Sequence, residues 1–169
     1  MVLVALLLAA PMADAATPPV PAPLCRAAQL RLSVDGRDGD FNGMSHSGTR
    51  LSIRNTGPDC MLPKLPVIEL RDARGRRLPA VRQAPVGMHP GPVMISVRIG
   101  GGHRATIDLR WTSGPVYPTS RSVTATAVGI RIGGALVRVP LKAVLFGPAG
   151  KPVPFQQTPA QVAEGMPTD

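Results

Sequence analysis

The sequence predicts an all-β domain, an antiparallel immunoglobulin-like β-sandwich closed by one disulfide. Three observations predict it. Apolar residues recur at every second position in short runs, the period of a half-buried strand. Gly, Pro, Asn and Asp clusters separate those runs. Finally, 20 prolines and 18 glycines are spread so evenly that no window holds an amphipathic helix.

The elements follow in order. Leu30, Leu32 and Val34 alternate with Arg31 and Ser33 in a first strand. Asp35 to Gly48 is a polar loop with almost no apolar anchor. Leu51 and Ile53 then alternate with Arg50, Ser52 and Arg54 in a second strand, and Asn55-Thr56-Gly57-Pro58-Asp59 turns the chain before Cys60. In Val67 to Asp72, Ile68 and Leu70 face inward and Glu69 and Arg71 outward. Ala73-Arg74-Gly75 turns that strand into a hairpin partner near Arg77 to Val81. Val93 to Ile99 is a further strand. In Arg104 to Trp111, Ile107, Leu109 and Trp111 point one way and Thr106, Asp108 and Arg110 the other. Trp111 is expected in the core beside Leu51, Ile53 and Ile107. Ser122 to Ile132 and Ala135 to Val139 flank Gly133-Gly134, a two-residue loop suited to a type I′ turn. Lys142 to Phe146 and Pro152 to Phe155 complete the set around Gly147-Pro148-Ala149-Gly150.

A chain of 169 residues fits one domain with a leader and a tail. Met1 to Ala10 is apolar and uncharged, too short to span a bilayer, and runs into Pro11 and Ala13-Asp14-Ala15, a small-x-small cleavage pattern. It reads as a signal peptide over 1–15, although it lacks the usual opening Lys or Arg. A Pro-rich linker is expected over 16–24, the folded domain over 25–157 and a flexible tail over 158–169. Leu24 before Cys25 does not suit a lipid anchor, and no other stretch suits a membrane span. The protein is therefore expected to be exported, to the periplasm or beyond the cell. In that oxidising setting the lone pair Cys25 and Cys60 predicts a structural disulfide. Closing its loop would stabilise the fold by roughly 3–4 kcal/mol on the chain-entropy model.

The formal charge is +9, and removing the leader deletes one acid and no base. Most of the cations are Arg, which binds carboxylate and phosphate bidentately. Arg50, Arg54, Arg110 and Arg131 occupy outward strand positions and would form an anion-binding stripe if they shared one sheet face. The expected partner is an envelope protein or an anionic envelope polymer. Without interleaved aromatics, nucleic acid is not expected.

Several of these landmarks together carry a resemblance. They are Cys25, the strand Leu51-Ser52-Ile53-Arg54 running into Asn55-Thr56-Gly57, and Cys60. They continue through Pro66 to Leu70, Asp72-Ala73-Arg74-Gly75, and Gly102-His103-Arg104-Ala105 leading to Leu109-Arg110-Trp111. In these the chain resembles a family of secreted bacterial proteins catalogued as a domain of unknown function (number four-two-three-two), over most of Cys25 to Phe155. The chain departs from it at Lys64-Leu65-Pro66, where members often have Gly-Tyr-Pro. The resemblance implies a secreted sandwich with a disulfide, and it brings no activity or catalytic residues.

Catalytic signatures fail. Gly43-Met44-Ser45-His46-Ser47-Gly48 is not Gly-x-Ser-x-Gly and no helix follows it. Gly100-Gly101-Gly102 lacks the Gly-Lys-Ser/Thr of a phosphate loop and reads as a turn. Asp35, Asp38 and Asp40 alternate, but the twelfth position of a calcium loop would be His46 instead of Glu. Thioether and imidazole suit Cu(I), so Met44, His46, Met88 and His89 are the alternative, copper-binding set. Met94 is expected in the core. The favoured expectation is a non-catalytic binding module with no cofactor.

Overall fold

The computed structural model describes residues 22–83 and 94–163, and the path through them is almost wholly extended. The strands are β1 (Leu30–Asp35), β2 (His46–Asn55), β3 (Cys60–Leu62), β4 (Val67–Arg71), β5 (Ala80–Arg82) and β6 (Val97–Ile99). They continue with β7 (Arg104–Thr112), β8 (Ser120–Ile132), β9 (Ala135–Pro148), β10 (Val153–Gln157) and β11 (Gln161–Val162). The largest sheet has six strands in the order β1-β2-β7-β10-β5, with β11 also paired to β7. A three-stranded sheet runs β4-β8-β9, and β3 pairs β6 in a small third one. Every pairing is antiparallel except β10 with β5. The fold is thus all-β and predominantly antiparallel, with three sheets that do not close on themselves.

The two-residue period is realised where it was clearest. Leu30, Leu51, Ile53, Ile107 and Leu109 are at most 1% exposed, and they join Val128, Ile130, Leu145, Val153 and Phe155 in one buried cluster drawn from both larger sheets. Gly133 and Gly134 join β8 to β9 with φ of 54° and 84°, a left-handed pair that side chains rarely adopt.

Several expectations are corrected. The loop after β1 has an apolar anchor after all. Phe41 is 8% exposed and packs over Gly48, where an added Cβ would come within 2.9 Å of the Phe41 side chain. The loop also ends earlier, since β2 begins at His46. The hairpin after β4 is only a bridge between Arg71 and Arg77, after which the chain crosses to the other sheet and β5 pairs β10. Lys142 to Phe146 is no separate element, because β9 runs unbroken through Pro140. Trp111 is buried at 6% exposure, but its cross-strand neighbours are Ser47 and Phe155, while Leu51 lies opposite Ile107 and Ile53 opposite Ala105. Met94 is 45% exposed and does not belong to the core.

The ends of the domain also move. The backbone of Pro23 accepts from Met61 N–H and Cys25 N–H donates to Met61, so the linker's last residues are part of the fold. Thr158 and Ala160, assigned to the tail, bond to Asp108 and Lys64, and β11 extends the large sheet. The leader (1–15), the first part of the linker and residues 164–169 lie outside the described residues.

Candidate functional site

The site is a sheet face, and register builds it. Directly opposed residues of neighbouring strands project to the same side. Arg31 of β1 is opposite Arg54 of β2, which is opposite Arg104 of β7. All three are exposed and lie on the side away from Leu30, Ile53 and Ala105. The Arg31 guanidinium donates to the carbonyls of Ala28 (2.9 Å) and Leu30 (3.0 Å), so its own strand holds it. None of the three makes an ion pair among the described residues.

One row further along lie Ser33, Ser52 and Thr106, followed on β11 by Gln161. The next row is Asp35, Arg50 and Asp108. Here charge is compensated: Arg50 Nε and Nη2 donate to the two Asp108 oxygens at 2.7 and 2.8 Å. Those hydrogen bonds hold the Arg50 guanidinium protonated above even its ordinary range. Beyond it, Arg110 lies opposite Gly48 on one side and Gln156 of β10 on the other. Arg110 lines a pocket of about 130 Å³ together with His46, Trp111, Tyr117, Phe155 and Gln156. No carboxylate lines this pocket among the described residues, so it holds no acid to pair with His46.

Arg50, Arg54 and Arg110 therefore share the face that the sequence suggested, and Arg131 does not. Arg131 is on β8, in the other sheet, where its Nε and Nη2 donate to Glu69 Oε1 at 2.8 and 2.6 Å. Arg71 Nη2 donates to the other oxygen of the same carboxylate at 2.6 Å. Glu69 is outward in register, as expected, yet only 3% exposed. It lies opposite Gly129 of β8. Burial opposes its ionisation, but the guanidiniums of Arg131 and Arg71 outweigh that and hold its carboxyl below the usual range. Arg71 Nε has no hydrogen-bond partner among the described residues.

The framework under the face is polar and local. Asn55 is fully buried, and its amide nitrogen donates to Pro58 (2.8 Å) and Ile99 (3.1 Å). Its oxygen accepts from Gln29 Nε2 (2.9 Å) and Gly57 N–H (3.0 Å). One side chain thereby ties together the turn before Cys60, the entry to β1 and the glycine turn before β7. The adjacent Cys25–Cys60 disulfide is formed, with Cα atoms 4.8 Å apart. Asp59 closes the same end, accepting from Gly101 N–H (3.0 Å) and Arg98 (2.8 Å), contacts that hold its carboxyl below the usual range.

The remaining candidates fall only partly within the described residues. Met44 is fully exposed at the tip of the turn that bridges Gly43 and His46, and His46 is exposed. Met88 and His89 lie outside the described residues. Asp35 accepts from Arg37 N–H and Asp40 pairs with Arg37, leaving these acids in a self-contained turn. Among the described residues, no group of His, Cys, Asp and Glu could hold a metal ion, and no helix is long and apolar enough to cross a membrane. Gly100 to Gly102 forms a turn between β6 and β7, with Gly102 at φ 79°.

Sequence reasoning missed Arg31 and Arg104, the hydroxyl row, Asn55 and Glu69. Arg31 and Arg104 carried the same signal as Arg54, an outward position on an alternating strand, but only strand order and register bring them into line. A family model described as Domain of unknown function (DUF4232) matches residues 25–162. No curated protein and no solved structure matches the chain.

Proposed function

The chain belongs to the DUF4232 family, and from its own surface we propose that it is an exported, non-catalytic module that holds an anionic polymer on the outer face of β1, β2 and β7. The observation that carries this reading is the unbroken row Arg31–Arg54–Arg104. Like charges directly opposite one another destabilise a sheet. Cross-strand partners sit only about 4.5–5.5 Å apart at their Cα atoms. A surface that keeps three such charges without an acid among them is arranged for an external anion. By contrast, Arg50 pairs with Asp108, and Arg71 and Arg131 pair with Glu69.

Export is supported by the apolar leader with its small-x-small pattern and by the single disulfide in a chain with no other Cys. An immunoglobulin-like pairing of the two larger sheets is supported by the one apolar cluster to which both contribute. A non-catalytic role is supported by the character of the face: arginines, hydroxyls and ion pairs, with no base positioned against a nucleophile among the described residues.

The test is retention of the mature domain on a heparin support. Wild type is compared with Arg31→Gln/Arg54→Gln/Arg104→Gln and with the charge-matched control Arg74→Gln/Arg77→Gln/Arg138→Gln. Exposed Coulombic binding weakens as the screening length falls from ~10 Å at 0.1 M salt to ~3 Å at 1 M. The face variant is expected to elute at clearly lower salt than the control. Equal elution of the two triple variants would overturn the reading.

A further inference from the structure

The outer face is not a uniform stripe. Its middle row, Asp35–Arg50–Asp108, holds two acids against one arginine and separates Arg110 at one end from the three opposed arginines at the other. Residues 104 and 110 of one strand are six positions apart, about 20 Å at strand rise. A ligand group held by the arginine row is therefore out of reach of Arg110, and three of the face's four arginines without an ion pair among the described residues lie together in that row.

We infer that Arg31, Arg54 and Arg104, with the hydroxyls of Ser52 and Thr106 beside them, form a site for a phosphoryl group carried on the bound polymer. This deepens the proposed function and rests on it. Three points favour a phosphoryl group over a carboxylate. Three guanidiniums side by side bring more positive charge than one carboxylate neutralises, and a phosphate monoester carries up to two negative charges. A tetrahedral oxyanion has enough oxygens for several guanidinium forks at once, the geometry in which Arg is preferred to Lys. The row next to the arginines is made of neutral hydroxyls, Ser33, Ser52 and Thr106, flanked by Gln161. Hydroxyls there can donate to remaining oxygens without adding charge. Arg31 is already fixed by the carbonyls of Ala28 and Leu30, so its charge is held at the edge strand before any ligand arrives.

The experiment titrates the mature domain with inorganic phosphate at constant ionic strength and follows the arginine side-chain N–H resonances by NMR. Acetate and sulfate serve as parallel arms. Saturable shifts confined to Arg31, Arg54 and Arg104 are expected with phosphate and not with acetate. Arg54→Gln is expected to weaken the phosphate dissociation constant by about tenfold or more, the scale of one lost charge-assisted contact. Arg54→Lys should recover only part of that, because it restores the charge without the fork. Saturation by sulfate equal to that by phosphate would reassign the site to sulfated polymers and overturn the phosphoryl assignment. Non-saturable shifts spread over all arginines, or an unchanged constant in Arg54→Gln, would remove the site. If the site falls while the triple variant still loses heparin retention, the basic face survives as a diffuse surface. If retention is also unchanged, both readings fall.

Discussion

Two of the arginine-bearing sheet surfaces of this domain treat their charge in opposite ways. On β4 and β8, Arg71 and Arg131 converge on one carboxylate that is almost wholly buried. On β1, β2 and β7, Arg31, Arg54 and Arg104 oppose one another with no acid among them. In the first arrangement both cations are tied to a carboxylate of the fold itself. The second leaves its charge to be satisfied from outside. Counting arginines, or even noting that they are outward, does not separate the two; what separates them is the presence of Glu69 in register.

The largest effect should come from breaking the first arrangement. Glu69→Ala removes the carboxylate that Arg71 and Arg131 share, leaving them only the carbonyls of Gly75 and Gly134. Removing one partner of a fully buried pair costs about 3–5 kcal/mol. Because Arg71 and Arg131 are partly open to water, about 2–3 kcal/mol is expected here, measured by urea unfolding of the oxidised domain. Asn55→Ala should fall in the same range, since several backbone groups around the Cys60 turn lose their partners at about 1–3 kcal/mol each. A cost below about 1 kcal/mol at Glu69 would mean that its ion pairs are not what fixes that sheet.

Acid gives the next effect. The carboxyls of Glu69, Asp59 and Asp72 are all held below the usual range. For Asp72 the leading cause is the backbone hydrogen bond from Arg76. A depressed folded-state pKa contributes stability that is present above the unfolded value, about 4, and is lost as pH falls through the folded value. The melting temperature should thus be nearly level from pH 7 to about 5 and decline below about 4. In Glu69→Gln that decline should be shallower. An equally steep decline in the variant would place the acid sensitivity elsewhere.

The smallest effects carry opposite signs on the two surfaces. Arg131→Gln should destabilise by about 1 kcal/mol, because Glu69 loses one of its two cations while Arg71 remains. Arg54→Gln should stabilise by roughly 0.2–0.5 kcal/mol, because it removes the central member of a like-charged row. Loss of stability in Arg54→Gln would mean that an acid from outside the described residues already compensates the row.

The legible parts of this molecule are those in which local pattern and tertiary role agree. The alternations in β1, β2 and β7 placed Leu30, Leu51, Ile53 and Ile107 inward, and Gly133-Gly134 announced its turn. The Cys25–Cys60 bridge followed from the lone pair of cysteines and the expectation of export. What was not legible depends on partners distant in sequence. Pro140 falls between the two segments predicted as separate strands, yet β9 is the edge of its sheet, and Pro140 lies opposite Ala127 just beyond a register shift. There its missing N–H costs little. The segment after Arg77 resembled a hairpin partner, but Leu78 N–H to Leu70 and Val153 N–H to Pro79 lead it across to β10. Thr158 to Val162 had too little apolar character to announce a strand, and it is held by backbone bonds to β7 and Lys64. Of the arginine row, only Arg54 was singled out by the sequence; Arg50 and Arg110 share its face but lie outside the row. Arg131 was misplaced because its position follows from strand order, which alternation alone does not specify.

The account is tested most directly by measuring Arg54→Gln and Arg131→Gln side by side, each for stability in urea and for elution salt on heparin. Both variants lose one positive charge, so net charge cannot distinguish them. The account predicts that Arg54→Gln elutes at lower salt with stability kept or slightly raised, while Arg131→Gln is destabilised and elutes close to wild type. Equal elution of the two, or a destabilised Arg54→Gln that binds as tightly as wild type, would contradict it.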